Sequence, residues 1–214
     1  MAITYPLPVS FFDEFPGWTT EFDLMWRQEQ SRTTGGRTIV KDMGSPLWRM
    51  SVQSKSLKPN ELDYWRARFN SLENGLKTFR GFPKSRCFPI AYPKGSWPTG
   101  SAFNGTAQVA SIAANRKSIS VSGLPSGFVV SVGDFIQIGD NDLHQVMESA
   151  LASAGGTTGQ FEIRPHLWPG VVAPRAATVK KPSCIMAIVP GSVSSTADLA
   201  TGRGSLSFQA IEAR

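Results

Sequence analysis

The sequence contains few of the residues that build catalytic, metal and disulfide sites. Its 214 residues include two cysteines and two histidines. Cys87 and Cys184 have neither the close spacing of metal ligands nor the number that a disulfide framework needs. We expect both to be small buried hydrophobic residues in a chain made in a reducing cytosol, with a single disulfide or one reactive thiol as the alternatives.

Charge and long apolar runs are also scarce. Charged residues make up 18% of the chain, against about 25% in an ordinary domain. One of the longest apolar runs, residues 185–189, is far too short to cross a bilayer. The first 15 residues lack the basic and apolar regions of a signal peptide. We therefore predict a protein that is not associated with a membrane.

No motif supplies a reaction centre. The chain has no G-x-S-x-G sequence, and residues 140–142 lack the glycine and glutamate that complete a calcium loop. The glycine-rich residues 155–159 have no lysine and precede a predicted strand, so they do not form a phosphate-binding loop. His144 and His166 are predicted to be surface or hydrogen-bonded core residues. The sequence thus predicts no catalytic residues, no metal and no cofactor.

What the chain does contain is a block of positive charge in its middle. Residues 74–133 include no Asp or Glu but seven basic side chains: Lys77, Arg80, Lys84, Arg86, Lys94, Arg116 and Lys117. Such a segment either forms a solvated surface balanced by the flanking segments or meets nucleic acid, an acidic lipid or an acidic protein. No zinc-finger, RNP or helix-turn-helix motif accompanies it, so we expect no sequence-specific nucleic-acid binding.

Periodicity predicts strands and one helix in the first part of the chain. Phe22, Leu24 and Trp26 alternate with polar residues, as in a half-buried strand, and the glycines at 35–36 predict a turn. Trp48 continues the pattern in a later strand. Residues 59–74 are predicted to form an amphipathic helix that begins at a proline. Its apolar stripe consists of Leu62, Trp65, Phe69, Leu72 and Leu76. We expect Trp26, Trp48 and Trp65 in the core.

The second half shows closely spaced strand patterns. With 20 glycines and 15 prolines in the whole chain, they favour a small antiparallel barrel or sandwich over a coiled coil or helical bundle. Residues 143–152 are the one stretch that alternatively fits a helical turn. We predict a mainly β fold, all-β to α+β. Residues 1–98 with 178–214 form one β module containing the helix, and residues 99–177 form an inserted or peripheral small barrel or sandwich.

Aromatic residues outside these periodic segments are candidates for contacts. Residues 1–20 are predicted to form an extended arm whose Phe11, Phe12 and Trp18 pack on the protein's own barrel or on a neighbouring subunit. Trp18, Trp97 and Trp168 lie in loops rich in glycine and proline, where exposure is common, and the last two are not part of the arm. Because sugar-binding sites use exposed aromatic rings, these two tryptophans are candidate glycan contacts.

Several segments, in their order along the chain, resemble the distal tail and baseplate proteins of long-tailed bacteriophages and related tail-like particles. They are PNELDYW at 59–65 leading to GLKTF at 75–79, VSGLP at 121–125 followed by VGDFIQI at 132–138, and FEIRP at 161–165. The resemblance covers residues 60–214 best. It implies a structural protein without catalytic residues, a hexameric ring-forming adaptor between the tail tube and the hub or receptor-binding parts. Its implied partners are its own copies and other tail proteins such as the tube, hub, tape measure and fibre.

The resemblance also implies a location at the tail tip of the virion, with assembly in the host cytoplasm. Candidate subunit contacts are then Phe11, Phe12 and Trp18 together with Lys77, Arg80, Lys84 and Arg86. The four cations are candidates to face acidic residues of the next copy, among them Asp13, Glu14, Glu21 and Asp23. The alternative function is a carbohydrate-binding module that reads host surface glycans through Trp97 or Trp168.

Overall fold

The computed structural model describes residues 3–99 and 102–214, and it confirms a mainly β protein with one main helix. The helices are α1 (Val9–Glu14) and α2 (Pro59–Asn70). The strands are β1 (Gly17–Met25), β2 (Gln28–Arg32), β3 (Thr38–Asp42), β4 (Leu47–Ser54), β5 (Thr78–Gly81), β6 (Thr106–Ile112), β7 (Ser118–Ser122), β8 (Val129–Val130), β9 (Phe135–Ile138), β10 (Asp142–Val146), β11 (Ala150–Leu151), β12 (Phe161–Arg164), β13 (Arg175–Thr178), β14 (Cys184–Ile188), β15 (Ser194–Ala197) and β16 (Gly204–Glu212).

The first sheet takes its strands from both ends of the chain. Its order is β1-β4-β16-β14-β5, and β15 pairs with the start of β16. Successive side chains of a strand point to opposite faces. Trp48, Met50 and Val52 of β4 are therefore buried on one face with Phe208 and Ala210 of β16. The opposite face is polar and open to solvent.

Helix α1 covers part of the buried face, which corrects the predicted arm. Phe11, Phe12 and Phe15 stand at i, i+1 and i+4, so a short helix brings all three rings to one side. Phe11 and Phe12 are 1% and 0% exposed, and the ring centroids of Phe12 and Phe82 are 5.4 Å apart. The segment packs on its own sheet, and Phe11 and Phe12 cannot be subunit contacts as predicted.

Helix α2 packs beside α1 through the predicted stripe. Leu62, Trp65 and Phe69 are buried, and the Phe69 ring lies 4.6 Å from that of Phe208. At its start, the main-chain N–H of Lys58 donates to a carboxylate oxygen of Glu61 at 3.0 Å, which satisfies one of the free donors of a helix N-terminus.

The helix ends four residues earlier than predicted. A 3₁₀ turn at Glu73–Gly75 follows it, and Gly75 has a φ of 102°. A Cβ atom on Gly75 would lie 2.5 Å from the carbonyl oxygen of Ile188, so the turn needs glycine at this close approach. Because the turn redirects the chain, Leu76 is 80% exposed rather than part of the stripe.

A closed barrel, β10-β12-β7-β6-β13-β9, forms the second part of the molecule. A short pair, β8 with β11, lies beside it, and residues 143–152 contain strands β10 and β11 rather than a helical turn. The barrel has its own core, built around Val109, Ile119, Phe128 and Phe161 among other residues. No helix within residues 3–99 and 102–214 is long and apolar enough to cross a membrane.

The two cores meet at a buried seam. Phe135 and Leu143, from barrel strands β9 and β10, belong to the core of the first sheet. The indole Nε1–H of Trp48 donates to the carbonyl oxygen of Leu143 at 2.7 Å, and the rings of Trp48 and Phe135 are 5.4 Å apart. The main-chain N–H of Ser183 donates to Gln137 at 2.9 Å. The sheet and the barrel therefore pack as one structure.

Candidate functional site

The most exposed regular structure in the molecule is a two-stranded ribbon that extends from strands β1 and β4. Strands β2 and β3 pair with each other from Gln28 opposite Asp42 to Arg32 opposite Thr38, and all ten of their residues are exposed. Neither strand pairs with another strand within the described residues. Both faces of the ribbon are thus available for a contact.

Four large apolar side chains on or beside this ribbon face solvent. They are Trp26, Ile39, Val40 and Met43, which are 52%, 50%, 56% and 53% exposed. The prediction that Trp26 lies in the core is wrong, because the chain leaves the sheet after Met25 and enters the ribbon. The run Gln28-Glu29-Gln30-Ser31-Arg32 is polar at both odd and even positions, and this is the sequence signal that separates a free ribbon from a half-buried strand.

Lys84, predicted to face a neighbouring subunit, is instead used within the chain. Its ammonium group donates to the main-chain oxygens of Phe12, Asp13 and Phe15, at 3.3 Å for Phe12 and 2.8 Å for Asp13. These carbonyls lie at the C-terminal end of α1, where a cation is electrostatically favourable. Partial burial lowers the pKa of Lys84. Lys84 therefore fixes α1 against the segment after β5.

The other predicted cations differ in what they contact. Arg80 donates to the carbonyl oxygen of Asp140 at 2.5 Å, which joins the first sheet to the barrel. The ammonium of Lys77 lies 5.6 Å from the centre of the Tyr5 ring. Arg86 is exposed, and it forms no ion pair within residues 3–99 and 102–214. Of the four, Arg86 is the side chain left for an outside partner.

The acidic residues proposed as their partners are also partly engaged. Asp13 forms an ion pair with Lys181 of the same chain at 2.6 Å, because α1 packs close to the segment before β14. Glu21 and Asp23 are exposed on β1, opposite Ser51 and Arg49 of β4. The predicted contact between Asp13 and a basic residue of the next copy is thus replaced by an internal one.

The two candidate glycan contacts do not present open rings. Trp97 is 8% exposed and packs in the barrel core against Phe103 and Phe128, with ring centroids 5.1 and 6.0 Å away. Trp168 is half-buried, and the guanidinium of Arg214 lies 4.0 Å from its ring centre. The prediction that both rings are exposed is wrong, because Trp97 is buried and the Arg214 guanidinium covers one face of the half-buried Trp168 ring.

Arg214 also forms ion pairs with two acidic side chains at the seam. It pairs with Glu212 at 2.9 Å and with Asp142 at 3.4 Å. The other carboxylate oxygen of Glu212 accepts from the main-chain N–H of Trp48 at 3.1 Å. Burial raises the pKa of Glu212, while the charge of Arg214 acts in the opposite direction. These groups connect the last strand to both β4 and the barrel.

His144 is the most deeply buried titratable group at this seam. It is 0% exposed, and its Nδ1 lies 2.7 Å from the carbonyl oxygen of Pro165, whereas its buried Nε2 has no partner in the part of the chain that the structure describes. Burial lowers the pKa of His144 to about 4, so the ring is neutral at physiological pH. His166 is half-buried with its Nε2 also unpartnered among those residues.

Both cysteines are free thiols. Cys184 is buried as expected, and burial raises its pKa well above the usual value. Cys87 is only half-buried, because it lies on the 3₁₀ turn after β5; its Sγ is 3.0 Å from the carbonyl oxygen of Lys84. Burial raises the pKa of Cys87 as well, which keeps both sulfurs in the less reactive thiol form.

Residues 3–99 and 102–214 contain no group of three His, Cys, Asp or Glu side chains placed to hold a metal ion. No protein-family model matches the chain, and no curated protein gives a significant sequence match.

Proposed function

We propose that this protein is a structural adaptor that forms a ring at the tip of a bacteriophage tail. The ring joins the tail tube to the hub or to the receptor-binding parts. The observation that carries the proposal is the exposed ribbon β2–β3. It adds no side chain to either core, yet it presents Ile39 and Val40 on β3, with Trp26 and Met43 at its base.

The energetics of the ribbon favour a role in assembly. A two-stranded ribbon is only marginally stable in water on its own, and within residues 3–99 and 102–214 this one pairs with no further strand and continues from β1 and β4 at its base. Exposed Ile39 and Val40 gain free energy when a partner removes them from water. An element of this kind is best explained by a contact that forms in the assembled state.

The free edge of the first sheet supports the same proposal. β1 is the outermost strand of the sheet order, so its outer main-chain groups are a template for a strand from another molecule. The other edge strand, β5, is partly covered, because the main-chain N–H of Leu7 donates to the carbonyl oxygen of Thr78 at 2.9 Å. A free edge and a free ribbon on one chain suit a head-to-tail contact, the kind of interface that generates a ring when the rotation between copies closes.

The partners in this proposal are other copies of the chain in a hexameric ring, and the tail tube, hub, tape measure and fibre proteins. The location is the tail tip of the virion after assembly in the host cytoplasm. The alternative function, glycan binding through Trp97 and Trp168, is not favoured. Trp97 is buried, and Arg214 covers one face of the half-buried Trp168 ring.

Negative-stain electron microscopy and light scattering of the full chain test the proposal. We expect wild type to form rings, and we expect Ile39→Ser with Val40→Ser to shift the protein toward monomer with an unchanged circular dichroism spectrum. Leu199→Ser is the matched control, since Leu199 is fully exposed in the hairpin between β15 and β16, which lies at the end of β4 opposite the ribbon. A wild type that stays monomeric at high protein concentration, or a double variant that assembles as well as wild type, contradicts the proposal.

A further inference from the structure

Trp18 is presented to solvent by an irregularity in β1. Gly17 lies opposite Ser54, whereas Thr19 lies opposite Gln53, so two residues of β1 advance for one of β4 and Trp18 occupies a β-bulge. Bulges re-aim side chains, and the Trp18 side chain is 80% exposed. The main chain of Trp18 is thus fixed in a paired strand, while its indole ring remains exposed to solvent.

Trp18 forms one wall of an open groove of about 660 Å³ on the polar side of the first sheet. The hairpin between β15 and β16 forms the opposite wall. The groove is lined by polar and charged side chains beside the indole, among them Gln53, Lys55, Ser56, Asp198 and Arg203. Clefts with an apolar surface and a few convergent polar groups are typical of ligand sites.

Some polar groups of this groove already form hydrogen bonds within the chain, and others form none within the described residues. The carboxylate of Asp198 accepts from the hydroxyl of Thr201 at 2.8 Å and from the main-chain N–H of Ala200 at 3.1 Å, and the Thr201 bonds lower its pKa. In contrast, the amide of Gln53, the ammonium of Lys55 and the guanidinium of Arg203 donate to no group within residues 3–99 and 102–214. The donors left for a ligand therefore include one neutral amide and two cations.

These features fit one class of ligand. A pyranose ring has an apolar C–H face that packs on an indole, and its hydroxyls match an amide such as Gln53 and a hydroxyl such as Ser56. A sugar carboxylate is a good acceptor for Arg203 and Lys55, because charge-assisted hydrogen bonds are the stronger ones. We propose that the Trp18 groove binds an acidic saccharide.

Single-stranded nucleic acid fits the groove less well. It requires a basic track along the backbone and successive aromatic platforms. Here one indole is exposed in the groove, and Glu21 and Asp23 lie farther along the same strand on the solvent side, facing Ser51 and Arg49 across the pair. These carboxylates repel a polyanion that follows the sheet, and neither of them lines the groove.

Calorimetric titration of the full chain tests the proposal. The probes are digalacturonate, a sialylated disaccharide and, as the neutral comparison, cellobiose. We expect an acidic probe to bind more tightly than the neutral one and to weaken with salt. Trp18→Ala should lower the affinity by about tenfold, and Arg203→Gln should reduce the preference for the acidic probe. Tyr64→Ala is the matched control, an exposed aromatic residue of α2 that belongs to neither the groove nor the ribbon.

Three outcomes overturn the inference. The first is the absence of binding to all three probes, and the second is binding that Trp18→Ala and Arg203→Gln leave unchanged. The third is a Trp18→Ala variant that binds sugars normally but loses self-association, which assigns the groove to a second copy of the chain. In the first of these cases a thymidine oligonucleotide is titrated as well, and its binding through Trp18 would assign the groove to nucleic acid. Ring formation is measured separately, so failure here is distinguishable from failure of the proposed adaptor function.

Discussion

The two segments that flank β1 are opposites in their relation to the core. On one side, α1 buries Phe11 and Phe12 completely under the first sheet; on the other, the ribbon β2–β3 leaves every residue exposed. Neither segment is long enough to be stable as an isolated helix or hairpin. Burial and the Lys84 contacts stabilise α1, whereas the ribbon is supported only by the strands from which it extends. The folded chain therefore needs α1, and the ribbon is free to serve another molecule.

The strongest test of this contrast is truncation of a buried ring in α1. Phe12→Ala should lower the free energy of unfolding by about 3–5 kcal/mol, because it leaves a cavity among Phe15, Phe82 and Phe208. Urea denaturation followed by tryptophan fluorescence measures the change. A loss below about 1 kcal/mol would show that α1 is dispensable.

The free energy of unfolding, measured over a range of pH, extends the contrast to the buried seam between the first sheet and the barrel. Since burial lowers the pKa of His144 from 6.5 to about 4, the unfolded chain binds a proton in that interval that the folded chain does not. The free energy of unfolding should therefore fall by about 3 kcal/mol as pH drops from 6.5 toward 4.

His144→Gln should flatten this pH dependence, whereas ribbon substitutions should leave its slope unchanged. Glu212, whose pKa burial raises, contributes in the opposite direction as pH falls, so the difference between wild type and variant isolates the histidine. An equal slope in wild type and His144→Gln would show that the ring is not kept neutral in the folded state.

Removal of the Lys84 contacts that fix α1 should have an intermediate effect on the free energy of unfolding. Lys84→Met keeps an unbranched side chain but removes the cation from the carbonyls of Phe12, Asp13 and Phe15. We expect a loss of about 1–2 kcal/mol in the free energy of unfolding and faster proteolysis near the N-terminus. Lys77→Met is the control and should change stability less, because the Lys77 ammonium lies over the Tyr5 ring and forms no hydrogen bond within the described residues.

The smallest effect is expected on the ribbon itself. Val40→Thr keeps the β-branched shape of a side chain that is 56% exposed, so the free energy of unfolding of the monomer should change by less than about 0.5 kcal/mol. Thermal melts at a protein concentration too low for assembly check this. A larger loss would mean that the ribbon packs on the body of its own chain, and the contrast with α1 would disappear.

The sequence predicted what depends on local periodicity. Leu62, Trp65 and Phe69 were placed in the core because a stripe with helical spacing buries one face wherever the helix lies. Trp26 and Trp97 were predicted wrongly for the converse reason. Alternation does not say where a strand leaves its sheet, and a glycine- and proline-rich loop does not reveal that Phe103 and Phe128 will enclose an indole.

The candidate site was harder to predict, since it depends on residues distant in sequence. A lysine at 84 gives no local sign that its partners are carbonyls of residues 12–15, so its charge looked available to a neighbour. The glycine and proline beside Trp18 correctly predict its exposure, but the bulge in the pairing of β1 with β4 that presents the ring has no composition signal of its own. The groove beside it further requires β15 and β16, more than 170 residues away.

The strand order of the first sheet also has a consequence for synthesis on the ribosome. β4 pairs with β16, and about 150 residues of chain separate the two strands. At about 5–20 residues per second, the inner edge of β4 has no partner strand for on the order of 10 s. The barrel strands are complete before β14 and β16 emerge. We therefore expect the barrel to close first during translation. Until β14 and β16 have emerged, the aromatic rings of α1 and α2 are partly exposed, and we expect chaperones that bind apolar segments of nascent chains to recognise them.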